Sequence, residues 1–145
     1  MSLEVYANYF FQQHSQDVAA GGPFIFGNVG PNTGNITASA ITPVGTAFNT
    51  NLSGIYKIEY GFLPSGDPPG GGPVGVVIGN PGSTISNSIA GNPNSPPINA
   101  TASYVSISFI TQWNSGDLLR VINLSTTNAL YYSYFYLCLY KLSIT

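Results

Sequence analysis

Charge is what this chain has least of. Only 6% of its 145 residues are Asp, Glu, Lys or Arg, against roughly 25% in ordinary soluble domains. Asn, Ser, Thr, Gly and tyrosine hydroxyls must therefore make the wettable surface. The three cations, Lys57, Arg120 and Lys141, are scattered, and the net charge is -2. Neutralising a phosphate backbone needs clustered Lys and Arg, so nucleic acid is excluded as a partner. Cys138 is the single cysteine. No intrachain disulfide can form, and its place inside an apolar run reads as a buried small hydrophobe.

Long hydrophobic runs are missing too. No stretch approaches the ~20 apolar residues that a membrane helix needs, so membrane insertion is not expected. The amino terminus lacks the basic and then apolar build of a secretory signal. Helical periodicity is equally hard to find, because 17 glycines and 11 prolines recur along the chain and apolar residues fall at i, i+2. The chain reads as all-β.

Ile55 to Phe62 alternates cleanly, with Tyr56, Ile58, Tyr60 and Phe62 on one side and Lys57 and Glu59 on the other. Thr101 to Trp113 places Val105, Ile107, Phe109 and Trp113 together. Leu118 to Leu124 follows an Asn-Ser-Gly-Asp turn, and weaker strands are expected at Phe24 to Phe26, Ile36 to Ile41, Thr46 to Phe48 and Val74 to Ile78. Ser65 to Pro73 and Gly79 to Ala100 read as surface loops. The amino-terminal VYANYFFQQHSQDVAA suits either a strand or a packed arm. Residues 1–23 are taken as that arm and 24–145 as one domain. Many short strands without alternating helices indicate a β-sandwich or barrel.

The final run YYSYFYLCLYKL raises the functional question. Strict alternation puts Tyr132, Tyr134, Tyr136 and Tyr140 on one face with Cys138, and Phe135, Leu137 and Leu139 on the other. A sandwich covers only the inner face of each sheet. The second face would lie in water as a contiguous apolar patch, the mark of an interaction surface. Burying one aromatic side chain removes ~150–250 Å² from water, roughly 4–6 kcal/mol as a gross upper bound. Three or four of them outweigh the roughly 4–15 kcal/mol cost of association. Self-association through Tyr132, Tyr134, Tyr136 and Tyr140 is the expectation.

Several segments resemble a known family. Ala47-Phe48-Asn49 followed by Leu52-Ser53-Gly54-Ile55-Tyr56-Lys57-Ile58, then Gly116-Asp117-Leu118-Leu119-Arg120-Val121, then the aromatic strand ending at Leu142, are similar in order and spacing to the C1q and tumour-necrosis-factor family of trimeric jelly rolls. The likeness is greatest to the carboxyl-terminal heads of bacterial collagen-like proteins, such as those on spore surfaces. It runs from about Phe24 to the end. The resemblance implies a jelly-roll β-sandwich assembled as a homotrimer, with the final strand near the axis. It also implies a non-enzymatic structural or adhesive head, displayed outside the cell or on a spore, cell or virion surface, meeting other surface proteins or glycans, with a stalk upstream.

Chemistry finds little footing. His14-Ser15-Gln16-Asp17 sets a base, a hydroxyl and a carboxylate close together, but no G-x-S-x-G elbow accompanies it. Gly70 to Gly75 satisfies G-x-G-x-x-G, yet a Val-rich strand follows where a phosphate site needs a helix. Glu59 and Asp117 are the best-placed carboxylate pair for acid–base catalysis, and each has a structural reading, outward alternation and turn support. No catalytic residue, cofactor or metal is expected. Sequons occur at Asn35, Asn51, Asn99 and Asn123. A carbohydrate-binding module is the alternative function, with exposed aromatics such as Trp113 or loop tyrosines stacking on sugar rings and Asn-rich loops bonding hydroxyls; Trp113 also reads as an anchor of the core.

Overall fold

The computed structural model describes residues 4–11, 16–41, 44–64, 73–79, 82–90 and 105–142. Strands in chain order are β1 (Tyr6–Phe11), β2 (Gln16–Val18), β3 (Asn28–Asn32), β4 (Ile36–Ile41), β5 (Val44–Thr50), β6 (Gly54–Pro64), β7 (Val74–Ile78), β8 (Ser83–Thr84), β9 (Val105–Trp113), β10 (Leu119–Asn123) and β11 (Leu130–Lys141). A single 3₁₀ turn, Ser86–Ser88, is the one helical element among the described residues. Two antiparallel sheets face each other. One runs β3-β1-β11-β6-β9, with β2 also paired to β11, and the other runs β4-β5-β10-β7-β8. This is a jelly-roll sandwich.

The alternating segments become strands because each has one face to bury. In β6 the side chains of Tyr56, Ile58, Tyr60 and Phe62 are fully buried, while Lys57 is exposed and Glu59 half-buried on the opposite side. The amino-terminal arm resolves as β1 and β2. Val5, Ala7, Tyr9 and Phe11 point into the core, and β1 lies between β3 and β11. The sandwich therefore takes in residues ahead of Phe24 and does not begin there. Phe24 to Phe26, expected as a weak strand, is a crossing segment instead. Its backbone is held by Phe24 N donating to Val121 O at 2.8 Å, and both phenylalanines fill the core.

The stretch read as a surface loop from Gly79 also departs from expectation. Within it β8 pairs with β7, and Ser88 is fully buried, its hydroxyl accepting from Val76 N at 2.8 Å and donating to Ile85 O at 2.6 Å. Short polar residues hide this role in sequence, since a serine that caps buried backbone groups looks like any loop serine.

The centre of the core is aromatic. Phe135 packs on Phe24 and Phe26, each at 4.6 Å between ring centroids, and Phe24 in turn meets Tyr132 at 4.8 Å. Four buried tyrosines each send a hydroxyl hydrogen to a backbone carbonyl: Tyr9 to Ile36, Tyr56 to Leu52, Tyr60 to Ser88 and Tyr132 to Ile25. A phenol buried this way is satisfied while neutral, and burial disfavours its anion more than the Asn32 contact of Tyr9 or the Thr50 contact of Tyr56 can offset. Trp113 is likewise inside, edge-on to Tyr56 at 5.0 Å, with its indole N–H donating to Asp117 O at 2.8 Å.

Burial pushes the Tyr132 phenol up to about 12 and raises Tyr60, Tyr9 and Tyr56 for the same main reason. In the unfolded chain phenols ionise near ~10. Above that point the unfolded state has shed protons that the native state keeps, so stability falls as pH rises. The slope is up to about 1.4 kcal/mol per pH unit for each of Tyr60 and Tyr132, until the folded value is reached. Urea unfolding at about pH 9 and about pH 11.5 should show this loss, and Tyr132→Phe should reduce it. A midpoint that does not move with pH would contradict the hydrogen-bonded neutral core.

Candidate functional site

The site follows from one irregularity in β11. Tyr134 has φ 54°, the left-handed region, and the pairing of β11 with β6 shifts register between Ser133 and Phe135. This β-bulge adds a residue to one strand and reverses the parity of everything after it. Leu130 and Tyr132 point inward before the bulge, and Phe135, Leu137 and Leu139 point inward after it. Tyr136, Cys138 and Tyr140 then share the outer face.

The expectation of a single tyrosine face is corrected at one position. Tyr132 is 0% exposed and belongs to the core, on the side of the sheet opposite Tyr136 and Tyr140. Tyr134, on the bulge itself, is 53% exposed and Tyr140 40% exposed, while Tyr136 is half-buried. Alternation counted without a bulge could not separate Tyr132 from the other three. The signal available was Phe135, an aromatic on the aliphatic face only three residues beyond Tyr132.

Register lays the outer face out in rows. Tyr6, Tyr140, Lys57 and Ile110 form one; Asn8, Cys138, Glu59 and Ser108 the next; Phe10, Tyr136, Gly61 and Ser106 a third. The two outer rows carry the aromatics, and the middle row is polar. Ile110 is 52% exposed. Lys57, Glu59, Cys138, Tyr140 and Leu142 line an open depression of about 380 Å³.

Gly61 explains how Tyr136 lies. A Cβ built on Gly61 would come within 2.5 Å of Tyr136 Cε1 and 2.8 Å of its Cζ and hydroxyl. The ring thus lies flat over the gap left by the missing side chain, a cross-strand pairing of aromatic and glycine that fills the pleat. The Tyr136 hydroxyl hydrogen-bonds to Ser106 and Glu59. Burial first, and then the Glu59 charge, raise its pKa, whereas the Ser106 hydrogen bond lowers it. Cys138 is pushed up as well, by burial and by the same carboxylate. A thiol raised in this way is a poor nucleophile at neutral pH.

The other sequence candidates come apart. Glu59 pairs with Ser108 in the middle of the sheet, whereas Asp117 lies in the turn beyond Trp113, whose partner is Gly54. Roughly 16 Å of strand separates Glu59 from that end. Trp113 is 0% exposed, so it offers no ring face to a sugar. Asn123 is fully buried, its amide donating to Val18 O at 3.1 Å and Asn128 O at 2.9 Å, which removes that sequon from the surface. The Asn35 amide donates to Asn51 Oδ1 at 3.2 Å. His14, Asn99 and Gly70 to Gly72 lie outside the described residues, and β7 follows the glycines. Among the described residues no three His, Cys, Asp or Glu side chains group to hold a metal, and no helix is long and apolar enough to cross a membrane.

No family model matches the sequence, and no curated protein matches it either. Solved structures do match in fold. The chain is similar to the globular domain of zebrafish complement 1qA protein at 11% identity and TM-score 0.61, covering 97% of this chain and 98% of that one. It is similar to the TNF Eiger from S. frugiperda at 15% identity and TM-score 0.66, covering 98% and 94%. It is also similar to the PRD1 vertex protein P5 at 13% identity and TM-score 0.59, covering 96% and 97%. The fold is a C1q/TNF-like jelly roll.

Gly61→Ala should keep the fold, with stability within about 1 kcal/mol of the parent, because the added methyl meets only the movable end of Tyr136. The ring should swing off the sheet, and its phenol should titrate nearer the ordinary value of ~10 as it leaves Glu59. Ring-carbon NMR shifts across a pH series would report both changes. An unmoved Tyr136 signal would contradict the flat-ring geometry.

Proposed function

We propose that this chain is a non-enzymatic structural head domain that works as a homotrimer, its copies meeting through the outer face of the β3-β1-β11-β6-β9 sheet. The observation that carries this reading is the outer face itself, where Tyr6, Phe10, Tyr134, Tyr136, Tyr140 and Ile110 surround one narrow polar row. In the single sandwich Ile110, Tyr134 and Tyr140 are exposed and Tyr6, Phe10 and Tyr136 half-buried, and contiguous apolar patches on soluble proteins mark contact sites. Tyrosine suits such a contact because its ring is apolar while its hydroxyl keeps a partner.

The likeness in fold to C1q and TNF jelly rolls supports this reading. The raised Cys138 and the separation of Glu59 from Asp117 support a role without catalysis. In this reading the head sits outside the cell or on a spore, cell or virion surface, joins copies of the chain, and offers its loops to other surface proteins or glycans. A collagen-like stalk upstream would be held in register by the three heads.

Sedimentation equilibrium tests the assembly. The expected mass is three times the 15.3 kDa of the chain. Tyr134→Asp and Tyr136→Asp should each return the single-chain mass with the circular dichroism of a folded sandwich, because each places an unpaired charge in a desolvated contact. A folded parent monomer, or unaltered trimers from both variants, would overturn the proposal.

A further inference from the structure

The polar row across the aromatic face contains one carboxylate. Glu59 lies half-buried on β6, a central strand of its sheet, with Cys138 beside it on β11 and Ser108 beside it on β9. The groups that face it are few. From β11 come the Tyr136 hydroxyl, which donates to the carboxylate, the Cys138 thiol and the Tyr140 ring; from β6 comes Lys57; from β9 come Ser106 and Ser108, which do not titrate. Lys57 is the one cation among them, and it is exposed.

We propose that Glu59 makes self-association sensitive to acidity: joining copies takes up a proton at Glu59, so the assembly tightens as pH falls. This inference rests on the proposed use of the outer face as a subunit contact. A carboxylate has about four lone-pair sites, and the Tyr136 hydroxyl supplies a donor to one of them. In the separate chain water can serve the rest. A second copy laying aromatic surface over the row displaces that water, and an uncompensated buried charge is far costlier than a neutral carboxyl group. Lys57, one row away on the same strand, is exposed, and its long stem lets the ammonium turn toward water and away from the carboxylate.

The sign follows from proton linkage. The associated state binds more protons than the separate chains, so association strengthens on acidification, by up to about tenfold per pH unit for each proton taken up. The polar row thus lets acid lock the heads together and neutral solution loosen them.

Sedimentation of a dilution series at about pH 7.5 and about pH 5, both above the ordinary glutamate range of ~4.3, measures the concentration of half-dissociation. The parent should need at least about tenfold less protein to stay assembled at the lower pH. Glu59→Gln keeps the size and an acceptor oxygen while removing the charge. It should assemble at the higher pH as tightly as the parent does at the lower, and lose the dependence. A dependence that survives in Glu59→Gln belongs to another group and overturns the proposal. Assembly that is insensitive to pH, or that weakens on acidification because Glu59 meets a cation of the neighbouring copy, overturns it while leaving self-association intact. Monomers at both pH values, in parent and variant alike, overturn both readings.

Discussion

The bulge at Tyr134 is the constraint on which the rest of the molecule turns. A residue other than glycine in the left-handed region is disfavoured by roughly 1–2 kcal/mol, and here it is a tyrosine with φ 54°. The return is that Tyr132 and Phe135, three positions apart, both enter the core and meet Phe24. Without the extra residue one of those rings would face outward. Tyr136, Cys138 and Tyr140 would then point into a space already filled from both sheets.

A second theme is how a chain so poor in charge satisfies its polar groups. Inside, phenols donate to backbone carbonyls, and the Ser88 hydroxyl accepts from Val76 N of β7 while donating to Ile85 O. Outside, the same chemistry recurs in weaker form, with Ser106, Tyr136 and Glu59 linked across three strands. Core and outer face are both built from aromatic rings with hydroxyl ends. The difference is that the outer face carries a carboxylate and a flattened tyrosine over Gly61, with Ile110, Tyr134 and Tyr140 exposed around them.

Much of this was legible in the sequence. β6 and β9 could be read from alternation because each buries one face and wets the other, and β10 from the turn ahead of it. Tyr134, Tyr136 and Tyr140 do lie on the outer side. Tyr132 was misplaced because period-2 counting carries no information about an inserted residue, and tyrosine is a poor signal for left-handed backbone. β1 and β2 were ambiguous because Tyr6, Tyr9, Phe10 and Phe11 are aromatic on both sides of the strand. β3 and β8 went unseen because Asn, Gly, Pro, Ser and Thr dominate them, and their pairing comes from neighbouring strands. The rows of the outer face, and with them the pairing of Gly61 with Tyr136, are properties of register and stay hidden until the strands are aligned.

The most direct measurement of the central claim, that sister copies cover the outer face, is the rate at which a maleimide labels Cys138, the single cysteine of the chain. Cys138 lies in the middle row of that face. In the parent protein labelling should be several-fold slower than in Tyr136→Asp, although the added carboxylate of the variant by itself would slow the thiol. Equal rates in the two, with both chains folded, would mean that solvent lies against this surface and that the account of it is wrong.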